Sequence, residues 1–190
     1  MDDRSSSMEK FRVATDRDAP QEYYPLAWGE TLGLSGVLDA FLTYVSDLPR
    51  LPIDVPFRST FDPMEIPSLL PNLVLWDIEY QDAHWSRLKY RLVGDKVTRF
   101  LGTNPTGNYM DEVYEPYFYD ALRLIYDELI QTGLPQYLRS RGPVEDRKYI
   151  TFNRVAVPMT ASGTRIDQML GCFEFKIDAM ADRRSRPFVR

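Results

Sequence analysis

Leu88-Lys89-Tyr90-Arg91-Leu92-Val93-Gly94-Asp95-Lys96-Val97 alternates apolar with polar or charged residues, meets a glycine, and continues into residues suited to a first helical turn. Successive side chains on a strand point to opposite faces, so Leu88, Tyr90 and Leu92 share one side and Arg87, Lys89 and Arg91 the other. The segment before it, residues 72–80, repeats the pattern, with Val74, Trp76, Ile78 and Tyr80 on one face and Leu73, Leu75, Asp77 and Glu79 on the other. A short polar connector, residues 81–85, folds the two into an antiparallel hairpin. Folding about its midpoint sets Glu79 opposite Arg87 and Asp77 opposite Lys89, the opposite-sign pairing that pins a register.

Downstream, residues 96–101 read as a short helix closed by Gly102, and residues 104–107 as a turn. Pro116 opens the longest helix, with Phe118, Leu122, Ile125 and Leu129 on one stripe and Gly133 as its C-terminal cap. Three extended segments follow, at residues 136–140, 148–158 and 166–177. Folding the last two about Ser162-Gly163 predicts a buried face of Tyr149, Thr151, Asn153, Val155 and Val157 with Met169, Gly171, Phe173 and Phe175. Ile150, Phe152, Arg154, Gln168, Cys172, Glu174 and Lys176 are then left on the outer face. The order of elements predicts an α+β domain: a five-stranded antiparallel sheet with helices on one face.

Upstream, residues 1–24 mix charge, serine and proline without periodicity and are expected to be mobile. Leu34, Val37, Leu38, Phe41, Leu42, Val45 and Leu48 recur at helical spacing up to Pro49, an amphipathic helix followed by a proline-rich link, together covering residues 25–55. That apolar stripe must either lie back on the sheet or form an interface with a second copy, and Leu34, Val37, Leu38, Phe41, Leu42 and Val45 are the interface candidates. Asp62 caps a turn that has Pro63 at its first position. The compact domain is assigned to residues 56–178, leaving 179–190 as a basic tail with Arg183, Arg184, Arg186 and Arg190.

The 190-residue length allows one domain with extensions, held together without disulfides or a structural metal. Net charge is −5, and basic residues are dispersed outside the tail, which argues against a nucleic-acid partner. The single cysteine, the absence of a signal-like start and the lack of a bilayer-length apolar run point to a cytoplasmic protein with no membrane span.

Several words of the sequence go further. Arg58-Ser59-Thr60-Phe61-Asp62-Pro63, Ile66-Pro67-Ser68-Leu69-Leu70-Pro71, Tyr90-Arg91-Leu92-Val93-Gly94, Pro105-Thr106-Gly107, and Val157-Pro158 after Arg154 resemble the single-domain PAS-like family of alphaproteobacteria long filed as a domain of unknown function. The resemblance covers residues 56–177 and implies a PAS fold used in sensing or regulation, often with self-association. It names no ligand and no cofactor. Asp95 departs from the family, where a small hydroxyl residue is more usual.

His84, the only histidine, falls at the hairpin tip and reads as an exposed loop residue rather than a haem ligand. Cys172 lies mid-strand beside Gly171, not in the helical Asn-Cys-Arg motif of flavin-binding PAS proteins, and reads as a packed strand residue. Arg91 reads as a partner for Asp77 on the outer face. Neither a catalytic set nor a metal-ligand set emerges. Asp77 or Tyr90 with Tyr80 as an acid-base pair is the enzyme alternative, and parity places Asp77 outside. A ligand pocket is expected between the inner sheet face and the helices, lined by Trp76, Tyr90, Tyr149 and Phe173 from the sheet, with Phe100, Tyr109 and Tyr126 from the helices. Thr151 and Asn153 on that face either bond backbone and tyrosine hydroxyls or hold the ligand. The function these features favour is a sensory or regulatory module, homo-oligomeric, taking a small molecule and passing a signal to a protein partner. An interaction scaffold without a ligand is the alternative.

Overall fold

The computed structural model describes residues 22–33, 36–50, 53–141 and 150–177. A single antiparallel sheet carries the fold. Its strands are β1 (Glu22–Pro25), β2 (Leu73–Gln81), β3 (His84–Val93), β4 (Gln136–Arg141), β5 (Ile150–Met159) and β6 (Gln168–Ile177), arranged β1-β4-β5-β6-β2-β3. Pairing of β2 with β6 joins the first hairpin to the C-terminal strands, giving one continuous sheet in an α+β fold. Strand β1 is an addition to the five expected strands. It lies where the sequence suggested aperiodic chain, because its four residues, all exposed on an edge, need only backbone pairing to β4 and leave no hydrophobic pattern.

The helices are α1 (Gly36–Ser46), α2 (Asp95–Leu101), α3 (Met110–Val113) and α4 (Pro116–Thr132). Their ends obey the sequence signals. Gly102 and Gly133 close α2 and α4 in the left-handed region at φ +83° and +66°, and at the separate 3₁₀ turn Pro63–Glu65 the Asp62 side chain accepts from the Met64 N–H at 2.9 Å.

Helices cover both faces of the sheet, not one. Beneath α2, α3 and α4 lies an inner core that includes Val74, Trp76, Leu88, Tyr90, Phe100, Leu122, Tyr126 and Met169. Beneath α1 lies an outer core of Leu73, Leu75, Val155, Val157, Leu170 and Cys172. Leu38, Phe41, Leu42 and Val45 of α1 are fully buried in this outer core within a single chain, so they are not available as an interface between copies. Val37 packs at its margin, and Leu34 lies outside the described residues. The reason is the sheet itself: its outer face is apolar along β2, β5 and β6 and would stand wet without α1.

In the first hairpin the charges sit as their signs dictate, Asp77 opposite Lys89 and Glu79 opposite Arg87. Arg91 pairs with Asp77 at 3.1 Å. Leu75 pairs with Leu92 but Trp76 with Tyr90, so Arg91 is an extra, bulged residue and the parity of β3 reverses beyond it. Leu92, expected on the buried face, is 48% exposed.

A second displacement has larger consequences. Arg154 stands opposite Phe173, and Asn153 opposite Glu174. The register is one residue away from the expected one, which turns every side chain of β5 to the other face. Residues 152–159 are all buried, with helices over both faces, so the strand offers no alternation from which to read its orientation.

Candidate functional site

Between the inner sheet face and the helices lies a cavity of about 30 Å³. Val97, Phe100 and Leu101 reach it from α2 because positions i, i+3 and i+4 share a helix face, and Phe118, Leu122 and Tyr126 reach it from α4 at i, i+4 and i+8. Trp76, Tyr90, Leu138, Phe152 and Phe173 form the sheet side, and Tyr114 enters from the link between α3 and α4. The Trp76 ring packs at the centre, with centroids 5.8 Å from Tyr90, 6.3 Å from Tyr126 and 6.2 Å from Phe173. A Cβ on Gly171 would come within 2.7 Å of the Trp76 ring, so only glycine lets the indole lie flat against β6.

The wall holds one charge. Arg154, turned inward by the register of β5, is 2% exposed and lines the cavity. Its Nη1 donates to the Tyr126 hydroxyl, and its Cζ lies 4.8 Å from the centroid of the Tyr126 ring. Nε and Nη2 are buried without a hydrogen-bond partner, and no described carboxylate pairs with the guanidinium. Nearby, the Tyr90 hydroxyl donates to that of Tyr114 at 3.3 Å, and the Trp76 indole Nε1 is buried beside them without a partner. Desolvation pushes the Tyr90 phenol well above its ordinary range and that of Tyr114 up to about 12. Desolvation also raises Tyr126, although its bond to Arg154 opposes the rise. These three phenols are therefore neutral near pH 7, and among the described residues no acid compensates the guanidinium charge.

Five of the residues expected in the pocket meet there: Trp76, Tyr90, Phe100, Tyr126 and Phe173. Tyr109 does not. Its hydroxyl donates to Glu79 at 2.8 Å, and Arg87 stacks 3.6 Å from its ring centroid while bonding Asp111 and Glu112. Thr151 and Asn153 face the other side of the sheet. Asn153 Oδ1 accepts from the Tyr137 hydroxyl at 3.0 Å and its Nδ2 donates to Glu174 at 3.2 Å, so it serves neither the inner core nor a ligand there. Tyr149 lies outside the described residues. Arg154 and Phe152, assigned by sequence to the outer face, belong to the cavity, and Tyr114 carried no sequence signal at all. An arginine between Phe152 and Val155, in a strand otherwise fit for a core, was the one clue to Arg154.

Cys172 is buried in the outer core, on the face away from the cavity, and desolvation pushes its thiol up to about 12. It cannot meet a group held under α4. His84 is exposed at the hairpin tip. Among the described residues no group of three histidine, cysteine or acidic side chains could hold a metal ion, and no helix is long and apolar enough to cross a membrane.

No family model and no curated protein matches the sequence. Among solved structures the chain is similar to an RNA-binding Light-Oxygen-Voltage receptor, at 12% identity and a TM-score of 0.46, over 88% of this chain. It spans 42% of the length of that receptor, and RNA binding is stated of that protein.

Proposed function

We propose that the chain is a PAS-type sensory or regulatory module that binds a small molecule between the inner sheet face and α2, α3 and α4, and passes the signal to a protein partner. One observation carries this reading: the cavity is walled by aromatic rings and by two residues, Trp76 and Arg154, that carry buried polar atoms without a hydrogen bond, the composition of a binding site rather than of a packed core. The sequence words that resemble the single-domain PAS-like family of alphaproteobacteria support membership of that family, and the single cysteine supports a cytoplasmic role. Self-association belongs to the same proposal and uses surface other than the buried stripe of α1.

The test is native mass spectrometry on protein freshly taken from cells, compared with the same protein refolded from denaturant. The expected result is an added small-molecule mass that is absent after refolding, together with a lower thermal midpoint for the refolded protein. Identical masses and midpoints would favour an interaction scaffold that needs no ligand.

A further inference from the structure

A guanidinium taken out of water without a counter-ion costs several kcal/mol by effective estimates, and packed cores seldom carry one. Among the described residues Arg154 is in that state, with Nη1 bound to a neutral phenol and no hydrogen bond on the Nε–Nη2 edge. That edge is the one suited to a carboxylate. Arg87 shows the geometry in the same molecule: its Nε donates to Asp111 Oδ2 at 2.9 Å and its Nη2 to Asp111 Oδ1 at 2.8 Å. Arg87 finds its acid at the surface, whereas the described residues that share the cavity wall with Arg154 are aromatic and aliphatic side chains, with the tyrosine hydroxyls as their polar groups.

We infer that the cavity is built for a small organic anion, a short-chain carboxylate, clasped by the free edge of Arg154 and bordered by the hydroxyls of Tyr90, Tyr114 and Tyr126. The inference rests on the small-molecule reading above and adds the charge and size of the occupant. Size follows from volume: about 30 Å³ is roughly one-fifth of the ~150 Å³ cavity that admits benzene and about the share of one water in the liquid, so formate is the carboxylate the site suits and a longer chain must displace the rings that wall it. The phenols can donate to a carboxylate oxygen, and the indole N–H of Trp76, buried next to the Tyr90 hydroxyl, is a further donor. Valence is set by the single cation in the wall: one guanidinium neutralises a monoanion, and a second carboxylate would be buried unpaired.

The experiment is a titration of the full chain, labelled with ¹⁵N at tryptophan, with sodium formate, sodium acetate, formamide and acetamide at ionic strength fixed with sodium chloride. The Trp76 indole resonance and the thermal midpoint are followed. Carboxylates should shift the Trp76 signal saturably and raise the midpoint, with dissociation constants at least about tenfold lower than those of the matching amides, the scale of a charge-assisted pair. Arg154→Met should erase that preference while the protein stays folded, since an apolar replacement of a buried charge is often neutral or stabilising. Should this variant fail to fold, the carboxylate-to-amide ratio on the unaltered chain decides alone. Equal affinity for amide and carboxylate, or an undiminished acetate response in Arg154→Met, overturns the inference and leaves the cavity a neutral binding site. No saturable response to any of the four compounds overturns the inference; if native mass spectrometry also finds no bound compound, the small-molecule reading falls with it.

Discussion

A Cβ on Gly94 would lie 2.4 Å from the Leu70 carbonyl oxygen and 2.5 Å from that of Pro71, at a point where the Gly94 N–H also donates to Leu73. Neither obstacle is a flexible side chain, so Gly94→Ala must move backbone. The expected cost is about 2–3 kcal/mol, read as a lower urea midpoint with an unchanged slope. The same contact explains why two of the sequence words occur together, since the glycine that ends Tyr90-Arg91-Leu92-Val93-Gly94 is seated on the turn made by Ile66-Pro67-Ser68-Leu69-Leu70-Pro71. Of the matched words, only Tyr90 and Arg154 reach the cavity, and the remainder hold the fold together. For this reason the sequence spoke more clearly about architecture than about a ligand. Trp76, Tyr90, Phe100, Tyr126 and Phe173 were legible as residues of the cavity wall because large rings at the right parity or helical spacing are also core residues. Arg154 was not, because its face depended on a register that its own strand leaves unmarked.

At the level of elements, α1 and α4 were readable from apolar spacing and from their stop signals, and α2 from the strand that runs into it. The destination of α1 was not. An amphipathic stripe reports only that it needs an apolar partner, and the outer face of β2, β5 and β6 proves to be that partner. Phe41→Ala should therefore cost about 3–5 kcal/mol of stability by opening a void in the outer core. The molar mass from light scattering should stay that of the unaltered protein under native conditions. A fall in mass on this substitution would return α1 to the role of an interface between copies.

On the scale of the whole molecule, two cores share one sheet, and the inner one encloses tyrosines whose neutral form folding favours. The Tyr114 phenol is raised from 10.0 to about 12, so below pH 10 its contribution to stability is fully present. As pH rises from about 10 to about 12 the unfolded chain ionises first, and stability falls by about 2–3 kcal/mol from this group, with Tyr90 adding in the same direction. Denaturant midpoints measured across that range should decline, and tyrosinate absorbance should rise late and together with unfolding. A midpoint that holds constant to pH 12 would mean that water reaches these hydroxyls in the folded state. The sequence by itself determined the α+β order, the helix ends, the first hairpin with its charge pairs, and the inward turn of the large rings on β2 and β3. In each case a local pattern, whether alternation, spacing, cap or opposite charge, was physically sufficient. Tertiary structure alone decided the register of β5, the bulge at Arg91, the docking of α1 and the burial of Arg154. These depend on which surfaces lie above and below a strand, and a strand covered on both sides carries no mark of which side is which.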